Sequence, residues 1–240
     1  LPPMNFEELI NIAARLRAPD GCPWDKEQTR ESLKPFLVEE LHECIDAFDE
    51  NDPEHIKEEL GDLLFQIVLQ SQLSKEEVLF DIHDVVDGIA RKMVRRHPHV
   101  FGDKDLKTSE DVKVWWEEHK RSEGKIHDSA IGGVPKSLPA LLRASKIQKK
   151  ATKVGFDWEK LEDVFEKLEE EIGELKEAIS EKKHNDIEDE MGDLFFVLVR
   201  IANFVDVNPE DALGRTIRKF EQRFRHIEAA ALRQGRKLSD

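Results

Sequence analysis

The sequence predicts an all-α protein built as two tandem four-helix-type modules. Three observations carry this reading: an internal repeat, apolar stripes at helical spacing, and a scarcity of strand signals. The segment LVEELHECIDAF at 37–48 matches LEEEIGELKEAI at 168–179, and IKEELGDLLFQIV at 56–68 matches IEDEMGDLFFVLV at 187–199. Both matches share one offset, Leu37 to Leu168 and Ile56 to Ile187, without a gap. A unit copied once indicates duplication of a module, not a short solenoid. Leu37, Leu41, Cys44 and Phe48 step by four, three and four residues, as do Leu168, Ile172, Leu175 and Ile179. That spacing is one face of an α-helix. β-branched alternation and hairpin turn pairs are scarce. Helical stripes are buried only against one another, which gives bundles.

Helices are expected near 5–17, 29–49, 54–74, 80–96, 108–123, 138–151, 159–182, 186–205 and 209–233. They divide into a first module at 1–105, a linker at 106–137 and a second module at 138–240. The linker is bounded by HPHVFGDKD and IGGVPKSLP, both rich in turn and breaker residues. Between them TSEDVKVWWEEHKRSEGK reads as one connecting helix, opened by a cap around Ser109.

The 240 residues carry 37 basic and 52 acidic side chains, a net charge of −15. That balance argues against a nucleic-acid polymer or an anionic membrane as partner. A small phosphorylated substrate stays compatible, because bound cations invert the local sign. Cys22 and Cys44 form no zinc or disulfide pattern, and Cys44 falls on an apolar stripe as a small hydrophobe. The apolar run Leu63 to Leu69 is too short to span a bilayer, and LPPMNFEELI lacks a signal design. A cytoplasmic protein is expected.

The chemistry lies in the acids. Glu40 and Glu43 share a helix face, as do Glu59 and Asp62 on the next helix, with ENDPEH between them. Pro53 suits the first position of that second helix. The residue midway between 40 and 62 is Asn51, inside the turn. An antiparallel hairpin therefore sets Glu40 opposite Asp62 and Glu43 opposite Glu59, roughly 12–16 Å from the turn. Glu171, Glu174, Glu190 and Asp193 repeat the arrangement around EKKHND. Four converging carboxylates repel unless a cation sits among them. Oxygen donors favour magnesium, manganese or calcium over zinc. A solvated acidic face is the bland alternative. Against it, the acids adjoin the apolar stripe, LLFQIV and LFFVLV follow at once, and Gly61 and Gly192 stand beside Asp62 and Asp193. Glycine is costly within a helix, so a close helix crossing or the approach of a ligand is expected there. Glu39 and Glu170 precede the quartets.

Glu-Glu-x-x-Glu, a spacer and Glu-x-x-Asp resemble the MazG family of all-α nucleoside triphosphate pyrophosphohydrolases. GCPWDKEQT at 21–29, RRHPHVFGD at 95–103 and KSLPALLRASKIQKKATKVGFDW at 136–158 also resemble its tandem bacterial members, so the likeness covers nearly the whole chain. The resemblance implies hydrolysis of a nucleoside triphosphate to monophosphate and pyrophosphate, by water attack on the α-phosphorus with magnesium (or manganese). It assigns Glu40, Glu43, Glu59, Asp62, Glu171, Glu174, Glu190 and Asp193 as metal ligands. Glu39 and Glu170 match the first Glu of the motif and are expected to orient water or help bind a further metal.

Lys92 and Arg96, then Lys219 and Arg223, follow the two acidic hairpins at four-residue spacing. Alone they read as solvated basic faces; their repetition and their match to the family's phosphate-contacting positions favour substrate binding. Trp116 and Lys120 are four apart, with base stacking and simple core as competing readings for the ring. Lys149 and Lys150 are expected in solvent, and Trp24 as a loop anchor. Tandem members often carry a later helix with Trp and Lys, whereas this sequence ends at GRKLSD. Either the second site lacks that stacking element or the sequence stops short of it. A homodimer is expected. The competing functions are a narrower pyrophosphohydrolase of the deoxyuridine triphosphate or phosphoribosyl-ATP type, and a metal-stabilised regulatory module with little turnover.

Overall fold

The structure is a computed structural model that describes residues 4–122, 129–234 and 238; side chains of 117–122 fall outside that description. Among the described residues there are eleven helices and no strand. The chain divides into two compact units, Leu1–Ser122 and Glu123–Asp240.

The first unit holds α1 (Phe6–Arg17), α2 (Pro23–Glu27), α3 (Lys34–Glu50), α4 (Pro53–Glu76), α5 (Ile82–Arg96), α6 (Pro98–Phe101) and α7 (Ser109–Ser122). Asn5 opens α1 through a reciprocal capping box with Glu8, and Asp81 and Asp84 do the same for α5. α3 and α4 form the expected hairpin. Asn51 closes α3 in the left-handed region at φ 56°, Asp52 caps α4 and Pro53 is its first residue. Asparagine adopts that conformation more readily than most residues, which fixes where the chain reverses. Ile10, Ala13, Val68 and Ile82 make one core, and Leu33, Leu69 and Leu73 another, with Phe65 packed against both.

Four details depart from the sequence reading. α3 starts at Lys34, not near 29, because Thr29 and Ser32 hydrogen-bond each other's backbone N–H groups and close a separate turn. Trp24 lies in the short α2, edge-on to Phe36 at 5.7 Å between ring centres. α7 is capped one residue early: Asp111 N–H donates to Thr108 Oγ1 and Thr108 N–H to Asp111 Oδ2. Lys150 is half-buried and donates its ammonium to the Gly132 carbonyl.

The second unit holds α8 (Ala140–Thr152), α9 (Leu161–Glu181), α10 (His184–Phe204) and α11 (Pro209–Arg233). α9 and α10 repeat the hairpin, with Lys182 at φ 58° where the first copy has Asn51. α8 is locked to α10 by polar groups: Ser145 Oγ donates to Asn203 Oδ1 at 2.7 Å, and Gln148 Nε2 to the Phe196 carbonyl at 2.8 Å. Val164, Ala178, Val197 and Val199 fill the interior.

Arg17 ties the first unit together. Its side chain is 8% exposed, pairs with Glu76 at 2.8 Å and donates to the carbonyls of Asp25 and Gln28. The hydrogen bond from Arg17 and, more weakly, the bond from Gln72 hold the Glu76 carboxyl below its ordinary range against the opposing effect of burial. A carboxyl held low adds stability above its unfolded value, and that stability is lost as pH falls through the folded value. E76Q should therefore cost about 1 kcal/mol at neutral pH, allowing for solvent screening. Urea midpoints of wild type and variant should converge below about pH 4; a gap that persists in acid would contradict the assignment.

Candidate active site

Each hairpin gathers three carboxylates. Oxygens of Glu40 and Glu43 on α3 and Glu59 on α4 lie within 4.8 Å of one another. Glu171 and Glu174 on α9 and Glu190 on α10 make the same cluster in the second unit. Asp62 and Asp193 lie outside these threesomes and are exposed, but their charges reach in. Burial, then the charges of Asp62 and Glu43, push the Glu40 carboxyl above its ordinary value, and a hydrogen bond with Gln66 opposes them. Partial desolvation, then the charges of Glu174, Glu171 and Asp193, push Glu190 up in the same way. The strongest charge on Glu40 is Asp62 and on Glu190 is Glu174, as the antiparallel pairing expects.

The two clusters differ in what offsets their charge. Glu171 is 4% exposed, and Lys167 lies 2.7 Å from both Glu170 and Glu171. Those carboxylates hold the Lys167 ammonium well above its usual range. The sequence reading passed over Lys167, although its spacing of three and four residues from two acids is a readable signal. The repeat offset puts Phe36 at that position in the first copy. There His55 takes over, 3.1 Å from Glu59 and 2.9 Å from Glu50. Gln66, 8% exposed with its side-chain oxygen unpartnered among the described residues, stands where the second copy has Val197. Cys44 is buried and free beside the first cluster; burial, then the neighbouring carboxylates, push its thiol up.

Glu39 and Glu170 are exposed at the rims of their helices. Lys92 and Arg96 are half-buried on α5, whereas Lys219 and Arg223 are exposed on α11. Trp116 donates its indole N–H to the Arg96 carbonyl at 2.7 Å, and His97 meets its ring edge-on at 5.2 Å. Trp116 is thereby fixed to the end of α5. Lys120 is on α7, but its side chain lies outside the described residues. The donor set is carboxylate oxygen throughout, with two desolvated acids raised by their neighbours, and it fits a hard divalent cation.

Of the two readings of the glycines, a close helix crossing within the chain is not found. A Cβ built on Gly61 or Gly192 meets nothing within 4 Å. Within the chain the space beside Asp62 and Asp193 is open, so no helix of the same chain requires glycine there.

A duplicated helical hairpin carrying two carboxylate clusters defines a class of tandem acidic-site α-proteins. Residues 28–101 and 159–228 both match the family model described as the MazG nucleotide pyrophosphohydrolase domain, and the chain belongs to that family. It is 45% identical over 238 residues to the nucleoside triphosphate pyrophosphohydrolase/pyrophosphatase MazG of Thermotoga maritima, covering 98% of this chain and 90% of that one. It is 42% identical over 239 residues to the nucleoside triphosphate pyrophosphohydrolase of Escherichia coli K12, covering 98% and 91%. It is also 45% identical to the uncharacterized protein YabN of Bacillus subtilis, of which it spans 51%. A crystal structure of a mazG-related protein from Thermotoga maritima aligns with 48% of the chain and 98% of its own length, at 26% identity and a TM-score of 0.42.

Open space at the glycines gives a two-sided prediction. G61A and G192A should each stabilise the fold by roughly 0.5–1 kcal/mol through helix propensity. They should also raise KM if substrate enters beside the aspartates. Urea unfolding and steady-state kinetics check the two halves, and a stabilised variant with unchanged KM would reject the ligand explanation.

Proposed function

We propose that the chain hydrolyses nucleoside triphosphates to nucleoside monophosphates and pyrophosphate at both carboxylate clusters. The observation that carries this is the pair of three-carboxylate clusters, each within 4.8 Å, repeated in the two units. Glu40, Glu43, Glu59 and Asp62 would hold magnesium or manganese in the first unit, and Glu171, Glu174, Glu190 and Asp193 in the second. A bound ion of this kind supplies neutralisation of the triphosphate charge.

The chain's own groups do the rest. Glu39 and Glu170, exposed beside the clusters, take the proton of the attacking water. The water oxygen bonds to the α-phosphorus, the bond to the bridging oxygen breaks, and pyrophosphate leaves. Lys92, Arg96, Lys219 and Arg223 donate to phosphate oxygens and secure the leaving group. Lys167 holds Glu170 and Glu171 in place, and Trp116 and Lys120 serve the base and the phosphates. The work is charge placement, and no nucleophilic side chain is required.

No helix among the described residues is long and apolar enough to cross a membrane, which is compatible with a cytoplasmic enzyme. The reading includes a homodimer. Leu213, Ile217, Phe220, Phe224 and Ile227 form an exposed stripe on α11, whose described residues include none that is buried.

Chromatography of the reaction products should show monophosphate and pyrophosphate; diphosphate and orthophosphate would contradict attack at the α-phosphorus. E43Q and E174Q should each remove one module's turnover, and the double variant should fall at least about a hundredfold. A double variant near wild-type rate would remove the clusters from the chemistry.

A further inference from the structure

One helical turn beyond Glu40 and Asp62, and beyond Glu171 and Asp193, the two hairpins carry different pairs of residues. Phe36 on α3 and Gln66 on α4 are equally far from the turn residue Asn51, so the antiparallel pairing sets them opposite each other. Lys167 on α9 and Val197 on α10 are placed in the same way about Lys182. Each copy puts one polar and one apolar side chain at this level, and the copies exchange the helix that brings each. In the first copy the apolar member is Phe36, packed against the core of Leu33, Leu69 and Leu73. In the second it is Val197, 4% exposed.

The polar members serve equivalent acids. Gln66 hydrogen-bonds Glu40. Lys167 meets Glu171, the residue that the repeat puts at the position of Glu40, at 2.7 Å. Both contacts orient a carboxylate from behind, as the groups that surround the ligands of a metal site do. They differ in charge. An amide orients its acid and leaves the full negative charge for an ion. An ammonium offsets that charge, occupies an oxygen that the ion would use, and repels the ion. Lys167 is held in place by a further contact, with Glu170 at 2.7 Å, and Glu171 is only 4% exposed, so little water screens the pair.

Building on the reading that both clusters hold a divalent cation, we infer that Lys167 is a resident counter-ion that competes with that cation, so that the second cluster binds it more weakly than the first, where Gln66 positions the equivalent acid without charge. The affinity of an oxygen-ligand site is tuned by the charge count of its ligands. Both quartets offer four carboxylates, and Lys167 offsets one of them in the second. A doubly charged ion and an ammonium about 5 Å apart repel by more than the interval that makes a tenfold change in affinity, even in bulk water. His55 meets Glu59 of the first cluster at 3.1 Å, but it is shared with Glu50 and carries charge only when protonated.

The test titrates manganese(II) alone, without nucleotide, and reads the free aqua ion by its electron paramagnetic resonance signal. E174Q leaves the first cluster intact, E43Q leaves the second, and E43Q/E174Q gives the background from other acidic surface. The E174Q protein should bind the ion at least roughly tenfold more tightly than the E43Q protein. K167Q, added to E43Q, keeps a donor and removes the charge; it should tighten binding at least roughly fivefold. Q66V, added to E174Q, installs the second copy's residue and should weaken binding roughly tenfold. His55 is unchanged throughout. Lys167 is one-third exposed, so the K167Q result stands even if Q66V fails to fold. Equal affinities in E174Q and E43Q, a K167Q substitution that weakens binding or leaves it unchanged, or a folded Q66V variant that binds like its parent, would overturn the inference. A double variant that binds as tightly as wild type would instead overturn the reading that the clusters hold the cation.

Discussion

Repulsion among carboxylates is the constraint around which each hairpin is arranged. Two like charges no more than 4.8 Å apart, as in each cluster, repel by roughly 1 kcal/mol or more even in bulk water, and by more where the groups are partly desolvated. Each cluster has several such pairs. The hairpin nevertheless holds its acids at one level, because the apolar runs LLFQIV and LFFVLV begin immediately beyond Asp62 and Asp193 and fix the helix register. The left-handed turn residues Asn51 and Lys182 and the start of α4 at Pro53 set the same register from the other end. The fold therefore imposes a concentration of charge that a divalent cation would relieve.

The copies meet that constraint differently. The second draws a cation from the chain itself, Lys167, into contact with Glu170 and Glu171, whereas the first relies on His55 at Glu59 and on Gln66 beside Glu40. An ammonium compensates over the whole physiological range; an imidazole does so fully only when protonated. Glu50 and Glu59, against some desolvation, raise the His55 proton affinity and extend that compensation upward in pH. The same divergence appears one layer out, where the first unit buries Leu69 and the second buries Arg200 at the equivalent position. Duplication has left the acidic frame intact and let the surroundings drift.

Much of this was legible in the sequence, for physical reasons. The repeat, the helical period of the stripes and the three-residue spacing of the acids all report local geometry, and local geometry survives into the fold. Pro53 and the turn at Asn51 were readable in the same way. The short helices α2 and α6 were not, since four or five residues carry no period. The cap at Thr108 was displaced by one residue because Ser109 and Thr108 are chemically alike. Gly61 and Gly192 signalled something beside the aspartates, but only coordinates separate a close crossing from open space. Arg200 looks like an ordinary helical arginine until its burial is known, and Lys150 looks solvated until Gly132 is placed against it.

The clusters are held together against their own charge, and thermal unfolding reads that charge through its response to magnesium. Midpoints would be compared for wild type and for the E43Q/E174Q double variant, in magnesium chloride and in sodium chloride of equal ionic strength. Magnesium should raise the wild-type midpoint above the sodium value, and the double variant should start higher than wild type without magnesium and respond far less to the ion. A double variant no more stable than wild type, together with equal midpoints in the two salts, would contradict that repulsion.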